Sequence, residues 1–270
     1  MDDTLEKTVA RRAALSLVIP VFNEAGNVAP LMVEVAQVLH ATDAAWEVLF
    51  VDDASTDGTL AELRTLAGGQ GSVRVLSLAR QAGQSLALWA GLRAALGSSI
   101  VTLDGDGQND PRDIPRLLAA LDSADMVVGF RKRRCDPLVK RLFAGLANLA
   151  RNFLTGSRLP DSGCGLRAFR RELLDCFLPF DGLHRFLPTM AEMAGYRVKS
   201  LEVNHRPRRR GRSKYGILDR LAGPLLDCLM LRRLKKRKLR AIACTELHAP
   251  PAGAHLLTVG PTSDNEVLDA

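Results

Sequence analysis

Several short signals of common chemistry are absent from this sequence. The five cysteines (Cys135, Cys164, Cys176, Cys228, Cys244) are odd in number, scattered, and form no C-x-x-C pair. That spacing argues against a structural zinc or a dithiol centre and for reduced, mostly buried thiols. The histidines His40, His184, His205, His248 and His255 show no metal-ligand spacing, and no internal repeat is present. No run of about 20 uncharged apolar residues occurs, so no segment is expected to cross a bilayer. Met1 to Arg12 is polar and mixed in charge rather than basic, then apolar, then small, so residence in the cytosol is expected. The first apolar run leads into Pro20-Val21-Phe22-Asn23-Glu24, not into G-x-G-x-x-G, which removes most support for a dinucleotide site.

What is present is enough apolar mass for a sizeable core. The chain has 270 residues, 47% of them hydrophobic, which suits one α/β domain with appendages. Its formal net charge of +7 implies attraction to an anionic partner such as nucleic acid, a phosphorylated small molecule or a lipid surface. Positive charge collects in 131–134, 206–214 and 232–240, whereas the first half gathers acids.

Short Val/Ile/Leu-rich runs at Leu15–Val21, Glu47–Val51, Val73–Leu78, Ile100–Leu103 and Met126–Gly129 read as buried strands. Helical spacing fills the intervals at Val28–His40, Thr59–Ala67, Gln84–Leu96 and Ile114–Leu121. The alternation predicts βαβ units, a mainly parallel sheet with helices on both faces, and a ligand site at the carboxyl ends of the strands. Trp46 and Trp89 lie in or beside apolar runs and read as core.

Acids stand where that site belongs. The second strand ends in Asp52 and Asp53, whose ionised carboxylates can accept hydrogen bonds from ribose hydroxyls or a base N–H. Thr56 or Asp57 can alternatively cap the following helix. The fourth strand breaks into Asp104-Gly105-Asp106-Gly107-Gln108. Residues two apart in an extended segment point the same way, so Asp104 and Asp106 can converge on one hard cation, Mg²⁺ or Mn²⁺. Shared with a diphosphate, such an ion would offset charge on a departing nucleoside diphosphate.

Taken in order, Val18–Glu24, Val51–Thr59, Gly83-Gln84 and Leu103–Pro111 resemble the family-two glycosyltransferases of GT-A fold. Gly129–Arg131, Asp161–Arg171 and Arg210–Tyr215 resemble the polyprenyl-phosphate branch of that family, which includes the dolichyl-phosphate mannose synthases. The likeness covers about Leu15 to Lys238. It implies an inverting, metal-dependent transfer of a sugar from a nucleotide-sugar donor (GDP-mannose or a UDP-sugar) to a polyprenyl or dolichyl phosphate. Residue by residue, it implies that Pro20, Phe22, Glu24, Asp52 and Asp53 hold the nucleoside. It also implies that Asp104, Asp106 and Gln108 ligate the metal, and that Arg131, Arg141, Arg208, Ser213 and Lys214 bind donor diphosphate or acceptor phosphate. Asp161 falls where the family has a carboxylate that acts at the acceptor, either orienting it or removing a residual proton.

Two segments bear on the membrane. The 137–155 stretch spaces Leu138, Leu142, Leu146, Leu149 and Phe153 as an apolar helix face, leaving Lys140, Arg141, Asn148, Arg151 and Asn152 for a polar one. Ile217, Leu218, Leu221, Leu225 and Leu229 repeat the theme in 215–240, which ends in a basic run. Such helices lie in the headgroup plane, with bases adding roughly 1 kcal/mol each near anionic lipid; packing on the sheet or a dimer contact is the bland alternative. The expected layout is an extension at 1–14, a GT-A domain at 15–214 with 137–155 inserted, a basic amphipathic helix at 215–240 and a flexible tail at 241–270. Peripheral association with the cytoplasmic face of a membrane follows, helped by a membrane-protein partner or a homo-oligomer. The competing readings are transfer to a sugar hydroxyl of a glycan, nucleic-acid binding through the basic patches, and a nucleotide-binding regulator without turnover. Nucleic-acid binding leaves the acidic strand ends unexplained, and no nucleic-acid partner is expected.

Overall fold

The computed structural model describes residues 14–42, 44–69, 71–131, 149, 151–157, 159–161, 163–207, 222–236, 242–245 and 256–259. Alternation proceeds as the sequence predicts through β1 (Leu15–Val21), α1 (Val28–His40), β2 (Trp46–Asp52), α2 (Thr59–Gly69), β3 (Val73–Ser77), α3 (Gln84–Ala94) and β4 (Ser99–Thr102). After a 3₁₀ turn at Pro111–Asp113 come α4 (Ile114–Ala120) and β5 (Met126–Phe130), then β6 (Arg167–Arg170), α5 (Leu183–Ala194), β7 (Val198–Glu202) and α6 (Ala222–Lys236). In 241–270, read from sequence as a flexible tail, β8 (Ile242–Thr245) and β9 (Leu256–Val259) pair antiparallel.

The main sheet runs β3-β2-β1-β4-β6-β5-β7. Pairing is parallel throughout except at β6, which is antiparallel to both β4 and β5. β1 and β2 are near-continuous apolar runs because both sheet faces are covered, and that leaves no room for polar alternation. α1 buries Val28, Leu31, Met32, Val35 and Leu39, a stripe at helical period that lies on one face. Leu63 of α2 and Ile114 and Leu117 of α4 join it there, against Leu17, Ile19 and Phe50 of the sheet. On the other face Ala87, Leu88 and Leu92 of α3, Leu183 to Ala191 of α5, and Cys228 and Leu231 of α6 pack on Val18, Leu49, Val51 and Phe169. Each such fully buried side chain contributes about 1.5–3 kcal/mol.

β6 is the feature that shapes the site. The chain leaves the sheet at the end of β5, makes the excursion 131–166, and returns between β4 and β5 in the opposite sense. Arg167 at the start of β6 therefore stands level with Thr102 near the end of β4 and with Val128 of β5. Both ends of the excursion thus meet at the edge where the parallel strands finish. Among the described residues, no helix is long and apolar enough to cross a membrane.

The 151–155 part of the excursion is helical but turned otherwise than an amphipathic pattern with a solvated basic face requires. Arg151 is buried, while Leu149 and Phe153 are exposed. Arg151 is therefore removed from the polar face predicted for it. Arg141, Arg208, Ser213 and Lys214 lie outside the described residues.

Packing is tight where α3 crosses β1 and β2 at Gly91, whose missing Cβ would come within 2.5 Å of Val18 Cγ1 and 2.8 Å of Val51 Cγ2. Both neighbours are branched and enclosed, so neither can yield. Gly91→Val is expected to destabilise the fold by about 2 kcal/mol or more, read as a lowered midpoint in denaturant unfolding.

Candidate active site

The loops after β1 and β2 are sewn together before any ligand arrives. Asn23 N–H donates to Ser55 Oγ (2.9 Å) and Thr56 N–H to Asn23 Oδ1 (2.8 Å). Glu24 N–H donates to Thr59 Oγ1 (2.8 Å) and Ala25 N–H to Asp57 Oδ2 (3.2 Å). Asp57 also accepts from Thr59 N–H at 2.9 Å, the start of α2. Of the two roles open to Asp57, the structure shows the capping one. Burial pushes its carboxyl up, but the Thr59 and Ala25 hydrogen bonds outweigh that and hold it below the usual range. Asn23 and Ala54 both have positive φ, 52° and 55°. Asn tolerates that region, but for Ala it stores roughly 1 kcal/mol of strain or more. The strained turn separates Asp53 from Ser55 and lets the two adjacent acids serve different partners.

Asp52 and Asp53 are both buried. Asp53 accepts from the backbone N–H of Ala82 (2.7 Å) and Gly83 (2.9 Å), fixing the turn into α3, where Gly83 has φ +91°. Asp52 accepts from Ser55 N–H (3.3 Å) and Ser77 Oγ (3.4 Å). These bonds shape the crevice, and each carboxylate, with about four lone-pair sites, keeps acceptors for a further donor. Glu24, also buried, accepts from Asn27 Nδ2 at 2.7 Å. Pro20 and Phe22 flank it, half-buried, at the end of β1.

β1 lies between β2 and β4, so this acidic edge continues directly into Asp104. Asp104 accepts from Gln84 Nε2 (3.1 Å) and Asn109 Nδ2 (3.5 Å). Burial, then the like charge of Asp106, raises its pKa to about 6, against the pull of Arg167, Arg131 and Asn109. Asp106 accepts from Gln108 N–H at 3.1 Å, closing a tight turn. The side chain of Gln108 donates from Nε2 to the Arg206 carbonyl (3.4 Å), which orients its amide.

From the excursion, Arg131 grips Asp161 in a fork: Nε to Oδ2 at 2.7 Å and Nη2 to Oδ1 at 3.2 Å. Gly163 N–H adds 3.1 Å to Oδ1. Burial works against the Arg131 charge, but the Asp161 carboxylate more than compensates and the net direction is upward. Arg167 is 3% exposed, and burial lowers its pKa, opposed by the charges of Asp104 and Asp161. Two acids and two arginines thus gather in one cluster: Asp104 after β4, Arg131 just after β5, Asp161 from the excursion and Arg167 from β6. Cys164 is buried, and burial raises its thiol to about 11, so it is inert beside them.

Sequence reasoning assigned Arg131 and Asp161 separately and gave Arg167 no role. The antiparallel return of β6 is what brings them together, and no local pattern announces it. His184, given no role from the sequence, sits 2.8 Å from Ser85 Oγ beside Gln84, half-buried, with its pKa lowered to about 3 by desolvation and by Arg185 and Arg167. An imidazole of that kind stays neutral and serves the packing of α5 on α3.

Do these groups suit a divalent cation? All the donors at the β4 end are oxygens, as a hard ion requires. Gly165 fits too, because any Cβ there would fall within 2.1 Å of Asp104 Oδ2, so the carboxylate is seated against bare backbone. The mutual repulsion of Asp104 and Asp106 is relieved by positive charge. Among the described residues, however, no three His, Cys, Asp or Glu side chains converge to hold an ion unaided.

Comparison with known proteins agrees with this geometry. The Glycosyl transferase family 2 profile matches residues 16–178. A dodecaprenyl-phosphate galacturonate synthase of Rhizobium johnstonii is 38% identical over 234 residues, 84% of this chain and 68% of its own. An undecaprenyl-phosphate 4-deoxy-4-formamido-L-arabinose transferase of Aeromonas hydrophila subsp. hydrophila is 36% identical over 219 residues, 80% of this chain and 67% of its own. Among solved structures, glucosyl-3-phosphoglycerate synthase from Mycobacterium tuberculosis in complex with phosphoglyceric acid matches with a TM-score of 0.61 at 23% identity, over 92% of this chain and 90% of that one. The same enzyme in complex with Mn²⁺, UDP and glucosyl-3-phosphoglycerate matches with a TM-score of 0.59 at 21% identity, again over 92% and 90%. These structural likenesses establish the GT-A fold.

One ion network underlies the loop that carries Asp106. Arg206 spans Asp110 (Nη2, 2.6 Å) and Glu34 of α1 (Nη1, 2.5 Å), and its N–H donates to the Gln108 carbonyl at 2.8 Å. Burial raises the Asp110 carboxyl, but hydrogen bonds from Arg112 and Arg206 dominate and hold it at about 2, against 3.8 ordinarily. The unfolded chain therefore takes up a proton that the folded one refuses, and this stabilisation is present above pH 3.8 and lost as pH falls toward 2. It amounts to at most about 2 kcal/mol, less what solvent screening removes at the exposed Arg112 end. Asp110→Asn should be less stable than the parent near neutral pH, the difference vanishing in strong acid. Denaturant unfolding across that range reads both.

Proposed function

The chain belongs to glycosyl transferase family 2, and from that membership we propose that it moves a sugar from a nucleotide-sugar donor to a polyprenyl phosphate, with Mg²⁺ or Mn²⁺ bound, at a membrane surface. The observation that carries the reading is the contiguity of two unlike sites. An acidic crevice along β2, β1 and β4 meets an arginine-rich pocket made by the ends of the excursion, so a diphosphate and a second phosphate can lie on either side of one sugar. The relatives named as dodecaprenyl- and undecaprenyl-phosphate sugar transferases support the choice of acceptor.

In this reading Asp52, Asp53 and Glu24 accept hydrogen bonds from the nucleoside, with Pro20 and Phe22 beside it. Asp104, Asp106 and Gln108 offer oxygens to the ion. The chemistry supplied by that ion, when bound, is neutralisation of charge on the departing nucleoside diphosphate. An acceptor phosphate oxygen forms the new bond to the anomeric carbon from the face opposite the leaving group. The old glycosidic bond breaks with its electrons passing to the diphosphate, and the centre inverts. A phosphate with a second pKa of about 6 is already ionised near neutral pH, so no strong base is required. Asp161, tied in a fork to Arg131, is poorly placed to act as one; its part is to aim the guanidinium at the acceptor phosphate. Arg141, Arg208, Ser213 and Lys214 are the further phosphate ligands of the proposal.

Lipid contact rests on apolar side chains that stand exposed among the described residues. Phe153 is 82% exposed, and α6 turns Leu226, Leu229, Met230 and Leu234 outward with Arg232 and Arg233 on the same helix. An apolar stripe flanked by arginines suits an anionic headgroup layer. In this proposal the protein binds peripherally to the cytoplasmic face, with a homo-oligomer or membrane-protein partner adding adhesion.

Purified protein incubated with Mn²⁺, a panel of UDP- and GDP-sugars and polyprenyl phosphate in anionic vesicles should yield a lipid-linked sugar. Asp106→Ala should lower turnover by at least about 10²-fold, the scale of a lost electrostatic stabiliser. Transfer to a soluble saccharide hydroxyl with the lipid left untouched would establish the other acceptor class. Full activity in Asp106→Ala would remove the metal from the mechanism.

A further inference from the structure

Arg151 is a buried charge that the mechanism has not used. It is 4% exposed, although Leu149 and Phe153 on the same helical segment face outward. Drawing a guanidinium inside costs several kcal/mol unless its hydrogens find acceptors. Here they are only partly matched, since Nη1 has no hydrogen-bond partner among the described residues.

Its remaining contacts share one target. Nη2 donates to the Leu159 carbonyl at 2.7 Å, and Asn152 Nδ2 donates to that same carbonyl at 3.2 Å. Arg151 also holds Asn152 in place, Nη2 to Oδ1 at 2.8 Å and Nε to Oδ1 at 3.3 Å. Below them runs a ladder of short-range bonds: Thr155 Oγ1 to the Arg151 carbonyl (2.8 Å), Ser157 N–H to Thr155 Oγ1 (3.3 Å), and Leu159 N–H to Ser157 Oγ (3.4 Å). The last of these bonds reaches Leu159, two residues before Asp161. Asp161 is therefore held from two directions, by Arg131 from the end of β5 and by this strap from the helical segment.

We propose that Arg151, with Asn152, is a positioning residue for Asp161: by fixing the Leu159 carbonyl it sets where the Asp161 carboxylate stands, and hence where Arg131 points. The inference rests on the reading in which Asp161 and Arg131 act at the acceptor phosphate. It ties that pair to the segment whose outer face carries Leu149 and Phe153, so the acceptor side is registered to the apolar surface while the donor side is registered to the sheet. Loss of the strap displaces Asp161 by a fraction of the site and leaves the nucleotide crevice as it was. A misplacement of about 1 Å at a reacting centre costs on the order of 10²-fold in rate.

A double-mutant cycle decides it, with kcat and both KM values measured for Arg151→Met, Asp161→Asn and the double variant in the polyprenyl phosphate assay. Arg151→Met is expected to lower kcat about 10- to 100-fold with the donor KM changed less than about 2-fold. In the Asp161→Asn background the same substitution should change kcat by less than about 3-fold, because a residue that acts only through Asp161 has nothing left to position. Additive losses in an Asp161→Asn enzyme that is itself slow would overturn the positioning role and leave the acceptor reading standing. Undiminished turnover in Asp161→Asn would overturn both. If Arg151→Met fails to fold, Asn152→Ala, at a half-exposed residue, should give about a 3- to 10-fold loss of kcat with the same non-additivity; an additive or absent loss there overturns the proposal.

Discussion

Two carboxylates held in each other's field at the end of β4 are the constraint around which the rest is arranged. Asp104 and Asp106 repel, and burial sharpens the repulsion enough to raise Asp104 to about 6. The surroundings respond at every point. Gly165 gives up its side chain to seat Asp104, Asn109 and Gln84 donate to it, and Arg131 and Arg167 oppose the charge from the far side. The described acids are too few to hold an ion alone, and in the proposed reading phosphate oxygens of the donor complete its coordination. Electrostatic preorganisation of this kind places the charge before the substrate arrives.

The donor and acceptor sides are built by different means. The donor edge belongs to the sheet, and its loops are crosslinked by Asn23, Ser55, Thr56, Asp57 and Thr59, at the cost of a left-handed Ala54. The acceptor edge is made by a chain that departs after β5 and re-enters as β6. There the pieces are held by charge pairs and by the Arg151 strap rather than by a ladder of strands.

Much of this was legible in the sequence, for stated reasons. β1, β2, β4 and β5 are apolar runs buried in the sheet, helical spacing marks the segments between the first five strands, and the acids at the ends of β2 and β4 stand out against those runs. β6, Arg-Ala-Phe-Arg, is too short and too charged to read as an interior strand. β7 is an edge strand with mostly exposed residues, and α5 carries Pro188 inside it. Those three elements were not predicted, and with them went Arg167 and the Arg131–Asp161 fork, which exist only once β6 lies between β4 and β5. Arg151 was misjudged for a related reason. Spacing shows which residues share a helix face, not which face turns inward, and here hydrogen bonds to Leu159 decided against the hydropathy pattern.

The central claim is that the cation site is completed by the donor's diphosphate. Manganese binding followed by electron paramagnetic resonance, with and without UDP or GDP, tests it directly. The account predicts that nucleoside diphosphate tightens Mn²⁺ binding by about 10-fold or more and that Asp104→Asn abolishes the gain. Equal affinity in the two titrations, or an undiminished gain in Asp104→Asn, would contradict it.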